Sequence, residues 1–283
     1  MPRAEQITAT DVQHGEGPVW SLSWGGLRWV DMLAGDILHL EPETGVVSRW
    51  SVGTVAAAFR PRRSGGAVIA TEREFALCDE MGGPLTGLGE VFRDGTVRFN
   101  DGATDPAGNF LCGTMAYDEA PGRGTLYRLG ADRHVEVVLR GVTISNGLAW
   151  TADSSRAYYN DTPTGRVDVF DSDPSGKLEN RRRFVAVDGD AGSPDGLTVD
   201  ADGGVWVALW GGGVVHRYSA SGALDEVVAV AAKNVTACTF GGEQLNELFI
   251  TTSRNDDEEH PGAGALFRYL PAVSGLPALS FAG

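Results

Sequence analysis

The chain has 283 residues, of which 42% are hydrophobic, enough to line the interior of one large domain or two ordinary ones. Its 23 Lys and Arg stand against 38 Asp and Glu, and the net charge of -15 repels phosphate backbones and anionic lipid while favouring bound cations. Disorder, nucleic-acid binding and membrane-surface binding are therefore set aside as expectations.

Residues 1–10 are mostly charged and polar, and nowhere do about eighteen apolar residues run together, so a soluble cytoplasmic protein is expected. Cys78, Cys112 and Cys238 lie far apart without Cys-x-x-Cys spacing. That pattern gives neither a disulfide framework nor a zinc knuckle and suits reduced, buried thiols.

From Gly15 onward, short runs rich in Val, Trp, Phe and Tyr alternate with Gly, Asp and Pro turns, and helical spacing is almost absent. Successive segments open on one phrase, in most copies a polar residue followed by Gly or Ala and two small or apolar residues. The copies are Glu16-Gly17-Pro18-Val19, Val55-Ala56-Ala57-Ala58, Asp101-Gly102-Ala103-Thr104, Asn146-Gly147-Leu148-Ala149, Asp195-Gly196-Leu197-Thr198 and Thr236-Ala237-Cys238-Thr239. They are 39, 46, 45, 49 and 41 residues apart, the length of a four-stranded propeller blade, roughly 40 to 50 residues. In five of the six copies a turn and a second strand follow, over 27–31, 110–114, 157–161, 205–209 and 248–252; third strands read over 165–170 and 264–269. The expectation is an all-β, six-bladed β-propeller in a single domain over residues 1–283, its sheet edges protected by ring closure.

The innermost strand of each blade lines the central channel, so equivalent repeat positions form a ring at one end of it. Four occupants of that ring are oxygen donors, Glu16, Asp101, Asn146 and Asp195; the other two are Val55 and Thr236. Carboxylate and amide oxygens converging on one axis repel each other or go unsatisfied unless they share a cation, here a hard one: Ca²⁺, Mg²⁺, Mn²⁺ or, less suited, Zn²⁺. A metal ion in the central channel is expected.

Gly15-Glu16-Gly17-Pro18-Val19-Trp20, Arg98-Phe99-Asn100-Asp101-Gly102, Gly113-Thr114-Met115, Ser145-Asn146-Gly147-Leu148-Ala149-Trp150, Pro194-Asp195-Gly196-Leu197 and the closing Phe281-Ala282-Gly283 together resemble the SMP-30/gluconolactonase/luciferin-regenerating family over essentially the whole chain. The resemblance implies a divalent metal held by Glu16, Asn146 and Asp195, substrate contacts from Arg98 and Asn100, and an acid/base role for Asp195. It also implies a substrate-binding acid three residues beyond Met115, which is Asp118 here, beside a Tyr117 that departs from the family pattern. The repeat register favours Asp101 in the ring where the family motif favours Asn100. Neighbours on a flat strand face opposite ways, so Asn100 is preferred, with Asp101 in reserve unless a bulge admits both.

The expected reaction is hydrolysis of an aldonolactone, such as gluconolactone, to the sugar acid, by a metal-dependent lactonase acting as a monomer or weak homo-oligomer. The metal polarises the carbonyl, and either Asp195 or the cation itself activates water. No Gly-x-Ser-x-Gly elbow or His-Glu-x-x-His pair supports another hydrolytic route. Two alternatives stay open: a phosphotriester hydrolase of the same architecture and a non-catalytic calcium-binding propeller. His14 is read as a surface or turn residue, Trp210 as the tryptophan nearest the pocket, and 171–176 as a hairpin turn rather than a calcium loop. Arg181-Arg182-Arg183 is read as a solvated strand edge, and Asn160 and Asn234 as sequons in spelling only.

Overall fold

The computed structural model describes residues 1–257 and 259–283. They form six four-stranded antiparallel sheets, each ordered from the inside outward, the blades of a six-bladed all-β propeller. The inner strands are Gly15–Ser21, Ala58–Pro61, Val97–Thr104, Ser145–Trp150, Ser193–Val199 and Asn234–Gly241 for blades 1 to 6. Second strands at Gly26–Asp31, Phe110–Ala116, Arg156–Asp161, Val205–Trp210 and Glu247–Ser253 match the repeat reading to within two residues.

Burial falls from the axis to the rim. All eight residues of Val97–Thr104 are buried, whereas Leu178–Ala186, the outer strand of blade 4, is mostly exposed. Arg181 and Arg182 of that strand pair with Asp168 and Asp171 at 2.7 Å, the solvated edge expected of the basic run. Between blades, aromatic rings fill the space that the fan of sheets leaves: Phe75 lies 4.7 Å from Phe99, and Trp20 stacks on Phe249 at 5.7 Å. The three cysteines are free and buried. Asn160 and Asn234 are buried too, closed to any glycan in this fold.

Both chain ends close the ring. Glu5–Gln6 pairs with Phe267–Tyr269 and completes blade 6 as its outermost strand. The last residues form a strap beneath the propeller: Ser274 O bonds Ala201 N, and Gly275 N bonds Leu245 O. Further on, Phe281 is fully buried and paired through its backbone with Pro61 and Arg63. None of the described helices is long and apolar enough to cross a membrane.

The repeated phrase marks a β-bulge. Inner-strand register slips between Glu16 and Val19, Phe99 and Gly102, Ser145 and Leu148, Pro194 and Leu197, and Val235 and Ala237. A bulge turns consecutive side chains toward the same side, so Asn100 and Asp101 both enter the channel region. The small residues after each polar one allow the strands to crowd the axis: a Cβ on Gly147 would stand 2.5 Å from Leu197 N and 2.8 Å from Asp195 O. Blade 2 has no such slip; Val55 precedes its inner strand and packs in an apolar cluster.

Candidate active site and metal centre

Glu16, Asn146 and Asp195, on the first halves of inner strands 1, 4 and 5, and Asp101, just past the middle of inner strand 3, are each no more than 7% exposed. The three carboxyls feel one another. Burial, then the charge of Asp101, pushes Glu16 up to about 8 against the pull of Gly17 N and Arg98. Burial, then Glu16 and Asp101, holds Asp195 well above the carboxylate range. Asp101 is raised by burial and opposed by Arg60.

Two oxygens of this group have no partner. Asn146 donates its Nδ2 to Thr162 Oγ1 at 2.9 Å, which fixes the amide and leaves its buried Oδ1 without a donor. Asp195 Oδ1 is likewise buried and unpaired. Buried oxygens without donors beside ionisable carboxyls are costly, and a bound cation relieves both costs. The residues therefore fit a hard divalent cation held by Glu16, Asn146 and Asp195. Among the described residues no group of three or more His, Cys, Asp or Glu forms a metal cluster; the third donor here is an amide. Thr236, the sixth occupant of the ring, is satisfied by the protein, donating to Gly15 O at 2.6 Å beside Thr251 Oγ1.

One device sets two of these donors in place. Asp31, ending the second strand of blade 1, accepts from the backbone of Gln13 and His14, three and two residues before Glu16. Asp161, ending the second strand of blade 4, accepts from Thr143 and Ile144, three and two residues before Asn146. Sequence reasoning missed this role, although an Asp closing the second strand in both blades was there to be read.

Arg98 is 6% exposed, and its Nη1 donates to Asn100 Oδ1 at 2.7 Å, to Phe99 O at 3.0 Å and to Met32 Sδ at 3.1 Å. Asn100 in turn donates Nδ2 to Ser145 O at 3.0 Å. The amide of Asn100 thus holds Arg98 against blade 4, where direct substrate contact was expected of it. Tyr117 lies 5.8 Å from the guanidinium and donates its hydroxyl to Glu72 at 2.7 Å.

Asp118 is exposed, its Oδ1 accepting from Ala120 N, and among the acids whose charge Arg98 feels are Glu16 and Glu119. The strand ends at Ala116, and Asp118 lies in the turn that follows. The reading of His14 is corrected: it is 8% exposed, 2.8 Å from Ser253 Oγ and edge-on to Trp210 at 5.9 Å, and burial and the Arg98 charge hold its pKa down at about 3. Two residues before Glu16 along the chain, it shares that residue's side of the backbone. Trp210 is half-buried beside His14.

Residues 14–254 match the family model described as SMP-30/Gluconolactonase/LRE-like region. The chain belongs to this family. It is similar to regucalcin of Oryctolagus cuniculus, 34% identical with 99% of each chain covered, and to pentonolactonase XacC of Haloferax volcanii, 36% identical with 96% of each covered. Among solved structures it resembles a calcium-binding protein, regucalcin, from Agrobacterium tumefaciens, 26% identical with a TM-score of 0.92, covering 98% of this chain and 97% of that one.

Proposed function

We propose that the chain is a divalent-cation-dependent sugar lactonase that opens an aldonolactone to its acid. The observation that supports this most is the pair of buried, unpartnered oxygens, Asn146 Oδ1 and Asp195 Oδ1, beside a tethered guanidinium. Similarity to a pentonolactonase adds the substrate class. Glu16, Asn146 and Asp195 would hold the cation, which when bound supplies Lewis-acid polarisation of the lactone carbonyl.

Arg98 keeps Nη1 on Asn100 and Phe99 and presents Nε and Nη2 to sugar hydroxyls. The Asp195 carboxylate would take the proton of the attacking water, with activation of that water by the cation itself as the alternative, while burial of the acid ring limits competing solvent. Asp101 stands behind the trio as a charge that strengthens cation binding. Asp118, in the exposed turn after the third blade's second strand, would contact the substrate from the rim, beside Glu119, whose charge reaches Arg98.

A second reading, a calcium-binding propeller without turnover, draws on the printed name of the Agrobacterium relative. The test is a panel of five- and six-membered lactones with a phosphotriester as control, assayed on metal-stripped protein and after reloading with Ca²⁺, Mn²⁺, Mg²⁺ or Zn²⁺ singly. Turnover of lactones that returns only with a cation is expected. Cation binding without lactone turnover would establish the second reading, and turnover independent of any cation would end both.

A further inference from the structure

The other end of the channel holds a cavity of about 350 Å³, lined by later residues of the inner strands and by 276–279 of the C-terminal strap. Its volume is that of a small-ligand pocket and several times that of a water molecule. Leu148, Leu197, Val199 and Leu276 give it apolar walls, Thr151, Ser154, Thr198 and Thr239 add hydroxyl-bearing side chains, and Arg60 is the one charged group in its lining among the described residues. The guanidinium donates Nη1 to Phe59 O at 2.7 Å, which occupies one of its five N–H groups. Among the described residues no carboxylate lies within 4.0 Å of it; Asp101 acts on it only at longer range.

A guanidinium with free donors over aliphatic walls is complementary to one kind of molecule. We propose that this cavity binds a small organic anion, a monocarboxylate with a short aliphatic chain, its carboxylate on Arg60 and its chain against Leu148, Leu197 and Leu276. An inorganic anion would leave the apolar walls uncovered, and a neutral alcohol would leave the guanidinium without its counter-charge. Ala152, exposed, and Ser154, half-buried, mark the way in. The site does not depend on the lactonase reading and is tested without turnover.

The test is calorimetric titration of the full chain, metal-free, with hexanoate and with hexanol. Hexanoate binding at one site is expected, weakened roughly tenfold to a hundredfold in Arg60→Gln, the worth of a charged hydrogen bond. Binding should be absent in Ala149→Phe, which fills the cavity from its half-buried wall, and unchanged in Arg98→Gln, which alters only the upper end. In crystals soaked with a terminally brominated hexanoate, the anomalous signal should lie beside Leu148 and Leu197, a readout that stands even if a variant folds poorly. No saturable binding, binding lost with Arg98→Gln but kept with Arg60→Gln, or hexanol binding as tightly as hexanoate would each overturn the proposal.

Discussion

The two ends of the central channel are made by the same six inner strands and have opposite characters. At the end where the strands begin, bulged phrases turn Glu16, Asp101, Asn146 and Asp195 into one buried group with unpartnered oxygens. At the end where they finish, the lining is mostly aliphatic, one guanidinium enters from blade 2, and the strap covers the mouth. One end gives up stability to hold charge without counter-charge; the other gains stability by burying apolar surface. Substitutions at the two ends should therefore separate function from stability.

The largest effect is expected from Asp195→Asn. Lactone turnover should fall about a hundredfold to ten-thousandfold, the range of a lost general base, and cation affinity should fall with it in a calorimetric titration. The metal-free variant should nonetheless melt higher than the parent, because a buried carboxyl with a raised pKa costs folding free energy that a neutral amide does not. A metal-free variant that melts lower would show that Asp195 is not under the strain inferred for this end.

At the opposite end, Phe281→Ala removes a fully buried ring from the strap. Urea unfolding should show a loss of about 3 to 5 kcal/mol, with cation affinity of the folded protein unchanged. Parallel losses of stability and cation affinity would mean that the two ends are not independent.

Arg98→Lys sharpens the account of the upper end. An ammonium cannot keep Asn100 and also present a planar pair of donors, so kcat/KM should drop roughly tenfold to a hundredfold, the worth of one charged hydrogen bond. Adding Asn100→Ala should then cost less than it does alone, because the two side chains act through one contact at 2.7 Å. Full additivity in this double-mutant cycle would return Asn100 to direct substrate contact.

Much of this was legible in the sequence because a closed ring of blades repeats its spacing and its phrase. The period gave six blades, and the polar residue of the phrase gave Glu16, Asn146 and Asp195 as ring members. A strict two-residue alternation could not place Asn100 and Asp101 together, since the bulge that admits both is a matter of backbone register. Glu5–Gln6 is too short to carry a periodic signal, so its place as the outer strand of blade 6 emerged only from its pairing with Arg268 and Phe267. The strap and the holding of Gln13 and His14 by Asp31 depend on contacts between residues far apart in sequence, which local patterning does not record.

The smallest effect concerns pH. His216, in blade 5, is 7% exposed, and burial holds its pKa below the ordinary 6.5. The unfolded chain takes up its proton first as pH falls below that value, so the native state loses stability there, by at most about 1.4 kcal/mol per pH unit for one group. The carboxyls of the acid ring have the opposite sign: Glu16, raised to about 8, and Asp195 keep their protons in the metal-free fold, and stability is lost as pH rises from the ordinary carboxylate range toward their folded values. Thermal melts across pH should therefore show the metal-free protein weakened on both sides. Saturating cation should lift only the alkaline side, whereas His216→Gln should reduce the acid-side loss without abolishing it, because buried His14, held down at about 3, loses stability in the same direction. If cation lifted both sides equally, the pH response would belong to the fold as a whole and not to the acid ring.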